Sequence, residues 1–472
     1  MRKLSSRKQE FLYGLSGFGP NFLMLILGAY LLDAYVIEGF GENVENWTYF
    51  NKTIVYVVAF GALLTITKII DAVVDVPLAA FTDRLKTKWG KRRPAILIGL
   101  ILLIAFYIII VIMPQNVEHS LFNTIMIPVV VALFYTAYTL AMVTYYGTFS
   151  EITRDTKARM RLSNYKAFFD TVYYSIGYAL IPLFIKNINI SQIAIVVTPI
   201  ALTMIIPLFM IKEPSTRKED VVVEPDKPAE KNVSMWKSIR IAFSNKNYLM
   251  WMLVFGFFFF GLQLFLTAQN VLASGPMGLT STQITLMNTA AFAPVPLMLF
   301  FYNRLMKKKG FGFAFKTAII SFILAMSCFA VAYIGFFPGS ENQLIRLMIG
   351  LTGSTIGSYG IGTFFMALYM IPSQLAKEET ERTGRNISAM FFAVQGFINA
   401  IIGALSTGLV WFLLRDWEIE AGDKFGTWFS TIVVIVFCAT SLGLSFLLPK
   451  AVSDIGKTPI DTLKLTEELP KE

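Results

Sequence analysis

The sequence contains little charge for its length. Of its 472 residues, only 15% are charged and 55% are hydrophobic, and the mean hydropathy is +0.60. A soluble domain needs more charged residues than this to keep its surface wetted, so the composition excludes that class. The chain is therefore predicted to be a polytopic membrane protein.

Reactive side chains are also scarce. The single histidine, His119, falls in a connection between apolar segments, so a histidine proton relay has no candidate. The two cysteines, Cys328 and Cys438, lie inside apolar segments, where cysteine ordinarily acts as a small apolar residue. A phosphate-binding G-x-x-x-x-G-K-[ST] loop is absent, which excludes an ATPase within this chain. These absences argue against an enzyme, and no cofactor is expected.

What the sequence does contain is a series of long apolar runs. About 20 apolar residues suffice for a helix to cross a bilayer, and twelve segments reach that length. The predicted fold is an all-α membrane protein with twelve transmembrane helices. The predicted spans are 11–37, 54–82, 95–114, 122–150, 163–186, 190–212, 247–273, 279–303, 313–337, 343–372, 387–414 and 425–449.

The basic residues lie on one side of these spans. Lysine and arginine together number 41, and nearly all of them fall at the two termini and in alternate connections. This asymmetry is typical of cytoplasmic connections, so both termini are predicted to be cytoplasmic in a multi-pass protein of the plasma (inner) membrane. The same asymmetry explains the positive net charge, so no nucleic-acid partner is expected. The basic residues of the opposite side are Lys52, Lys186, Arg346, Arg415 and Lys424.

The chain divides at a long hydrophilic connection. This connection carries three prolines among alternating charges, which is linker composition. Loops 83–94 and 150–164 are echoed about 220 residues later by 303–310 and 373–388. Two parallel six-span repeats are the architecture of the major facilitator superfamily. The predicted domains are an N-terminal bundle (1–212), a cytoplasmic linker (213–246), a C-terminal bundle (247–449) and a cytoplasmic tail (450–472).

Three charges lie inside the second predicted span. Lys68, Asp71 and Asp75 are each about one helical turn apart and share one face. Charges inside a bilayer are costly and usually mark an ion or substrate path. Two carboxylates one turn apart offer oxygen ligands to a small cation, and Lys68 can compete with that cation. The alternative is a static buried salt bridge between Lys68 and one aspartate.

The same segment carries a resemblance to a known family. K-I-I-D-A-V-V-D-V-P at 68–77, followed by D-R-L-K-T-K-W-G-K-R-R-P at 83–94, resembles the glycoside-pentoside-hexuronide:cation symporters, the melibiose permease family. The resemblance implies a cation-coupled symporter in which Asp71 and Asp75 bind Na+ or H+. It also implies coupling roles for Lys68 and for Arg382, although Arg382 could instead lie in a solvated loop.

The sugar-binding positions of the family are mostly changed in this chain. Asn21 stands where the family has a carboxylate in the first span, and Met142 replaces an acidic residue in the fourth. Tyr146 matches an aromatic that stacks on sugar. Ala167 replaces the family arginine, which leaves Lys166 as the nearest basic group. The resemblance therefore implies substrate contacts from Asn21, Tyr146 and Lys166 but does not identify the solute.

Further polar residues within spans are candidates for solute contacts. Tyr145 could supply a stacking surface, and Gln263 and Gln395 could bind hydroxyl groups in a water-filled cavity. Hydrogen bonds between helices are the alternative for the two glutamines. Lys166 and Asp170 are one turn apart in the fifth span, which favours an ion pair between them.

A charged gate is predicted at the cytoplasmic mouth. The loop after the second span is basic, and the loop after the tenth span carries Glu378, Glu379 and Glu381, so the two can pair. Membrane-surface anchoring by the basic residues is the simpler alternative. The predicted gate residues are Asp83, Arg84, Arg92, Arg93, Glu378 and Glu379.

These observations favour a cation-coupled symporter for a small organic solute, most simply a sugar or glycoside. A lysophospholipid transporter of the same fold is an alternative, because the sugar-binding residues are mostly changed. A membrane sensor without transport is a further alternative from another class. The expected partners are the solute, the coupling cation and the lipid bilayer, and we expect the chain to function as a monomer without a resident metal.

Overall fold

A computed structural model describes residues 4, 6–41, 44–152, 156–216, 243–383, 388–421 and 423–457. Within these ranges every regular element is a helix. Twelve helical spans in the described part are long and apolar enough to cross a membrane. The predicted all-α fold with twelve spans is therefore confirmed. The cytoplasmic location of the termini stays a prediction.

The first six spans are numbered in chain order. Spans 1 and 6 consist of consecutive helical pieces, and the others are continuous. Span 1 comprises Arg7–Leu15, Phe18–Ile26, the π-helix Leu27–Leu31 and the 3₁₀-helix Asp33–Tyr35; spans 2 to 5 are Val57–Arg84, Arg92–Ile112, Leu121–Gly147 and Thr156–Ile185; span 6 comprises Ile190–Val197, the 3₁₀-helix Thr198–Ile205 and Ile206–Met210.

The last six spans are numbered 7 to 12. Spans 8 and 11 are interrupted, and the others are continuous. Span 7 is Lys246–Ser274; span 8 comprises Ser281–Phe292 and Val295–Lys309; spans 9 and 10 are Phe311–Val331 and Gln343–Thr383; span 11 comprises Ser388–Gly403, the π-helix Ala404–Val410 and Trp411–Ala421; span 12 is Phe425–Ser445. Short helices outside the spans are Val44–Asn46, Phe149–Ile152 and Lys450–Ser453.

Proline explains two of the interruptions. Proline cannot donate a backbone hydrogen bond, and its ring clashes with the preceding turn of a helix. Pro199 and Pro207 begin new helical pieces in span 6, and Pro294 precedes the second piece of span 8. The π-helical segment of span 11 contains no proline. Such segments often occur at functional sites, where one extra residue changes the direction of the side chains.

Contacts divide the chain into two compact units that do not follow the sequence halves. Unit 1 consists of Met1–Glu230, Leu266–Thr289 and Gly403–Thr427. Unit 2 consists of Lys231–Phe265, Ala290–Ile402 and Trp428–Glu472. Unit 1 therefore contains spans 1 to 6 together with parts of spans 7, 8 and 11.

The core of unit 2 is aromatic. The Trp251 ring packs against Phe255 and Phe315 with centroid separations of 5.0 and 5.4 Å. Phe258 contacts Phe315 and Phe364 edge to face or nearly so. Large aromatic rings bury much apolar area with few rotatable bonds, so they hold spans 7, 9 and 10 in a defined packing.

Spans 2 and 11 approach each other closely in unit 1 because glycine occupies the contact. A Cβ atom placed on Gly61 would lie 2.5 Å from the Phe412 Cβ, and one placed on Gly408 would lie 2.6 Å from the Thr65 Oγ1. The Thr65 hydroxyl donates to the Ala404 carbonyl oxygen at 3.2 Å. Small residues permit such backbone approach between membrane helices.

Gly408→Ala is expected to destabilise the protein, whereas Gly396→Ala in the same span is not. The methyl group at position 408 would press on Thr65, and overpacking of this kind costs about 1–3 kcal/mol. A Cβ atom at Gly396 meets nothing within 4 Å, so that variant should be neutral or slightly stabilising. Apparent melting temperatures of the two purified variants in detergent test this difference, and equal temperatures would contradict the close contact.

A buried aspartate joins the end of span 1 to span 11. The Asp33 carboxylate is 2% exposed, and its Oδ1 accepts a hydrogen bond from the Trp411 indole nitrogen at 2.5 Å. Arg415 is fully buried and donates to the Val36 carbonyl oxygen at 2.9 Å. Its guanidinium carbon also lies 5.1 Å from the centroid of the Phe40 ring. The positive charge of Arg415 thus lies in an environment with few hydrogen-bond partners.

A second buried carboxylate completes this group. The Glu418 Oε1 accepts the Thr427 backbone N–H at 2.6 Å, and the side chain is 2% exposed. The Arg415 charge acts on both Glu418 and Asp33. We refer to Asp33, Arg415 and Glu418 as the charged cluster. It combines one positive charge with two negative charges, all of them buried within unit 1.

Candidate functional site

The charges of span 2 lie beside spans 4 and 11. The Thr139 hydroxyl of span 4 donates to the Asp71 Oδ1 at 3.3 Å. Lys68 donates from its ammonium group to the Thr407 hydroxyl of span 11. Asp75 follows Asp71 by one turn in the same helix, but its side chain lies outside the described part. The structure therefore gives Asp71 a hydroxyl neighbour suited to a cation site.

The partner of Lys68 lies in an unusual stretch of helix. Thr407 belongs to the π-helical segment Ala404–Val410, which packs against span 2. The Asp71 charge acts on the Lys68 ammonium, so the lysine has both a hydroxyl and a carboxylate in its surroundings. An ammonium with two such neighbours can move between them when the charge near Asp71 changes.

A second group of polar side chains joins spans 1, 4 and 5. The predicted ion pair between Lys166 and Asp170 is present. The Asn21 side-chain nitrogen donates to the Asp170 Oδ1 at 3.1 Å, and the Tyr138 hydroxyl donates to the Asn21 Oδ1 at 2.7 Å. These four side chains form a continuous network with both charged and neutral members. Hydrogen bonds of this kind position the donors and acceptors that a polar solute requires.

A polar stripe extends this network along span 5. Lys166, Asp170, Tyr174 and Tyr178 follow each other at intervals of four residues, which places them on one helix face. The Tyr174 and Tyr178 rings are stacked with centroids 6.1 Å apart. We refer to these four residues as the polar stripe. It runs along a helix whose other residues are largely apolar.

The two predicted tyrosines of span 4 differ in their surroundings. Tyr145 is fully buried, and its hydroxyl donates to the Tyr13 carbonyl oxygen at 2.5 Å. That bond ties span 4 to span 1. Tyr146 is 40% exposed, and the Lys166 ammonium lies 5.4 Å from the centroid of its ring. The structure thus brings Tyr146 to the network of Lys166, Asp170, Asn21 and Tyr138 and gives Tyr145 a hydrogen bond to the backbone.

The two predicted glutamines lie in unit 2. Gln395 donates from its amide nitrogen to the Leu368 carbonyl oxygen of span 10 at 2.8 Å. This is the interhelical hydrogen bond that the sequence left as an alternative for glutamine. Its amide oxygen is buried and makes no hydrogen bond. Gln263 is partly buried in span 7.

The predicted gate residues are only partly described. The Arg92 backbone N–H donates to the Glu213 Oε2 at 2.9 Å, and the Arg92 guanidinium lies 3.6 Å from the Glu213 Oε1. The Arg93 guanidinium carbon lies 5.9 Å from the centroid of the Trp89 ring. The acidic partner shown for Arg92 thus follows span 6. Side chains outside the described part are those of Asp83, Arg84, Glu378, Glu379 and Arg382.

The sequence did not reveal two members of the network that joins spans 1, 4 and 5. Tyr138 was not singled out, and Asp170 was treated only as the ion-pair partner of Lys166. The four-residue spacing from Lys166 to Tyr178 was the available signal, because it places a charged pair and two tyrosines on one helix face. The contact between Tyr138 and Asn21 joins residues 117 positions apart, which no local spacing reveals.

Twelve helical spans in the described part are long and apolar enough to cross a membrane, and several carry buried charges and polar networks, which is the architecture of a multi-pass membrane protein. The chain belongs to the family described as MFS/sugar transport protein, which it matches over residues 12–450. This match confirms the resemblance that the span 2 motif predicted. The members of this family are membrane transporters, so the protein is a transporter and not an enzyme.

Solved structures of transporters share this fold. The nucleoside transporter NupG is 13% identical, with a TM-score of 0.60 over 93% of this chain and 97% of that chain. A bacterial homologue of the human lysosomal transporter Spinster, in an inward-facing and unoccupied conformation, is 12% identical, with a TM-score of 0.60 over 95% and 98%. A POT family transporter in complex with 5-aminolevulinic acid is 13% identical, with a TM-score of 0.57 over 94% and 97%. Such low identities establish the fold alone. A search among curated proteins gives no match.

Proposed function

We propose that the protein is a cation-coupled secondary transporter of a small hydroxylated solute, with Na+ or H+ as the coupling cation. The observation that carries this proposal is the network of Lys166, Asp170, Asn21 and Tyr138 inside unit 1. Ionisable groups within membrane spans are costly and are usually retained for a substrate or ion path. The family match supports solute transport as the role of this path.

The coupling cation binds at Asp71 and Asp75 in this proposal. Hard cations prefer oxygen ligands, and the Asp71 carboxylate with its Thr139 neighbour provides them. Bound Na+ or H+ neutralises negative charge beside Lys68. The ammonium then has less attraction to Asp71 and depends more on Thr407 of span 11. Cation binding in span 2 is thereby transmitted to span 11, and Arg382 has a supporting role in this coupling.

The solute binds along the polar stripe. The family has a carboxylate in span 1 where this chain has Asn21, and Asp170 of span 5 supplies a carboxylate instead. The family has an arginine where this chain has Ala167, and the neighbouring Lys166 supplies the positive charge instead. Asn21 and Tyr138 orient the carboxylate, and the partly exposed Tyr146 ring offers a surface for stacking. These groups both donate and accept hydrogen bonds, as hydroxylated solutes require.

Uptake into proteoliposomes tests this proposal. Purified protein is reconstituted and supplied with inward Na+ or H+ gradients in turn, and radiolabelled methyl glycosides or lysophosphatidylcholine are offered as solutes. We expect saturable glycoside uptake that one of the two gradients accelerates at least tenfold. Lysophosphatidylcholine uptake without glycoside uptake would replace the proposed solute with a lipid. The absence of counterflow for every solute would contradict transport of these classes.

A further inference from the structure

Three side-chain amides lie buried where spans 7 and 8 meet span 5. Gln269 and Asn270 are neighbours in span 7, Asn288 lies in span 8, and each side chain is at most 2% exposed. The Asn288 nitrogen donates to the Tyr178 carbonyl oxygen at 2.6 Å and to the Asn270 Oδ1 at 3.1 Å. We refer to Gln269, Asn270 and Asn288 as the amide cluster. All three residues belong to unit 1.

Much of the hydrogen-bonding capacity of the amide cluster is unused. Both amide atoms of Gln269, the Asn270 Nδ2 and the Asn288 Oδ1 are buried and make no hydrogen bond to any residue that the structure describes. The Tyr178 hydroxyl lies near Gln269 and the Tyr30 hydroxyl lies near Asn270, and these two hydroxyls donate to the Leu266 and Gly177 carbonyl oxygens. Buried polar atoms are normally paired in folded proteins. Four unpaired atoms in one cluster therefore point to a ligand that pairs with them.

The chemistry of the unused atoms restricts that ligand. They comprise two NH₂ groups, which donate, and two carbonyl oxygens, which accept. A hydroxyl group both donates and accepts, so several hydroxyls on one neutral molecule can pair with all four atoms. A phosphate or carboxylate would face the two carbonyl oxygens without a proton to donate. An acyl chain would pair with none of them. The cluster thus matches a sugar or polyol.

The amide cluster lies at the end of the polar stripe. Tyr178 is the last residue of that stripe, its carbonyl oxygen accepts from Asn288, and its hydroxyl donates to the Leu266 carbonyl oxygen of span 7 at 3.0 Å. A solute that follows Lys166, Asp170 and Tyr174 along span 5 reaches the cluster next. The cluster is buried in this structure, and alternating access exposes such regions in the course of transport.

We propose that the amide cluster is the second part of the solute site and selects neutral polyhydroxylated solutes through their hydroxyl groups. This inference rests on the proposed transport function and adds the residues of spans 7 and 8 that recognise the hydroxyl groups of the solute. Gln269 has the central role, because both of its amide atoms are unused. Asn270 and Asn288 are held by their mutual hydrogen bond and by the Tyr178 backbone.

Gln269→Met separates solute binding from a structural role. Methionine has nearly the same length, and the exchange breaks no hydrogen bond of the protein. We expect the affinity for the transported neutral methyl glycoside, measured by isothermal titration, to fall at least tenfold. The melting temperature without solute should stay unchanged or rise. Gln115→Met is the matched control, because that side chain is exposed in the connection between spans 3 and 4. The control should leave both quantities unchanged.

Gln269→Asn provides a second variant with the amide retained. It withdraws the amide by one methylene group, so it should also weaken glycoside binding while the protein stays folded. Unchanged glycoside affinity in Gln269→Met, together with a lowered melting temperature, would overturn the proposal and assign the amide a structural role.

Wild-type counterflow of the glycoside is measured first. If the wild-type protein shows no counterflow, the transport function itself is contradicted. If the wild-type protein shows counterflow but both Gln269 variants bind the glycoside with unchanged affinity, only the role of the amide cluster is contradicted.

Discussion

Asp71→Asn is expected to abolish the cation dependence of solute uptake. Asparagine has the size of aspartate and can still accept a hydrogen bond from Thr139, but it lacks the negative charge that a cation requires. Loss of about 3 kcal/mol of cation binding corresponds to an affinity more than a hundredfold lower. Uptake should therefore lose its response to the Na+ or H+ gradient. Initial uptake rates in proteoliposomes, with and without the gradient, measure this change.

Two further variants control for indirect effects of Asp71→Asn. Asp423→Asn makes the same exchange at an exposed position, where the side chain accepts the Phe425 backbone N–H at 2.8 Å and asparagine can do the same. It should retain full coupling. The double variant Lys68→Met with Asp71→Asn removes both charges together, which avoids an isolated ammonium in the membrane. Coupled uptake in either variant that lacks Asp71 would show that the assigned cation site is wrong.

Arg415→Met is expected to destabilise the protein strongly. The substitution leaves the buried Asp33 and Glu418 carboxylates without the positive charge that acts on both. Removal of one partner from a buried charged group costs about 3–5 kcal/mol, because the remaining charge is uncompensated. The apparent melting temperature in detergent, together with the yield of monodisperse protein, measures the loss.

Neutralising the whole charged cluster should recover most of that stability. The triple variant Asp33→Asn, Arg415→Met and Glu418→Gln contains no buried charge at this position, and replacement of a complete buried charged group is often tolerated. Asparagine and glutamine can still accept from Trp411 and Thr427. A triple variant as unstable as Arg415→Met would contradict the electrostatic explanation and assign the loss to packing of the arginine side chain.

The sequence predicted the spans well because bilayer crossing depends on local properties. A run of apolar residues long enough to cross the hydrocarbon region must form a helix, since its backbone groups have no other partners there. The twelve predicted segments therefore agree with the twelve helical spans of the described structure. The pair of Lys166 and Asp170 was predictable for a similar reason, because the two residues are four positions apart in a single helix and therefore lie on the same face.

The partners between different helices were not predictable in this way. In a membrane helix both the lipid-facing and the core-facing sides are apolar, so the sequence pattern does not show which face meets which neighbour. Lys68 has Asp71 in its surroundings, as their shared helix face predicts, but it also donates to Thr407, which is 339 residues away. Asp33 likewise accepts from Trp411 at a separation of 378 residues. Neither contact leaves a periodic signal.

The sequence by itself determined the class of protein, the number of spans and the charges that lie within them. Each of these depends on composition or on spacing along one helix, where the geometry is fixed by the backbone. Only the tertiary structure decided which polar side chains of different helices meet. It joined Asn21 to Asp170 and Tyr138 to Asn21, and it gathered Gln269, Asn270 and Asn288 beside Tyr178. The physical reason is that helix rotation and close packing at glycine contacts, which set these meetings, depend on the whole fold.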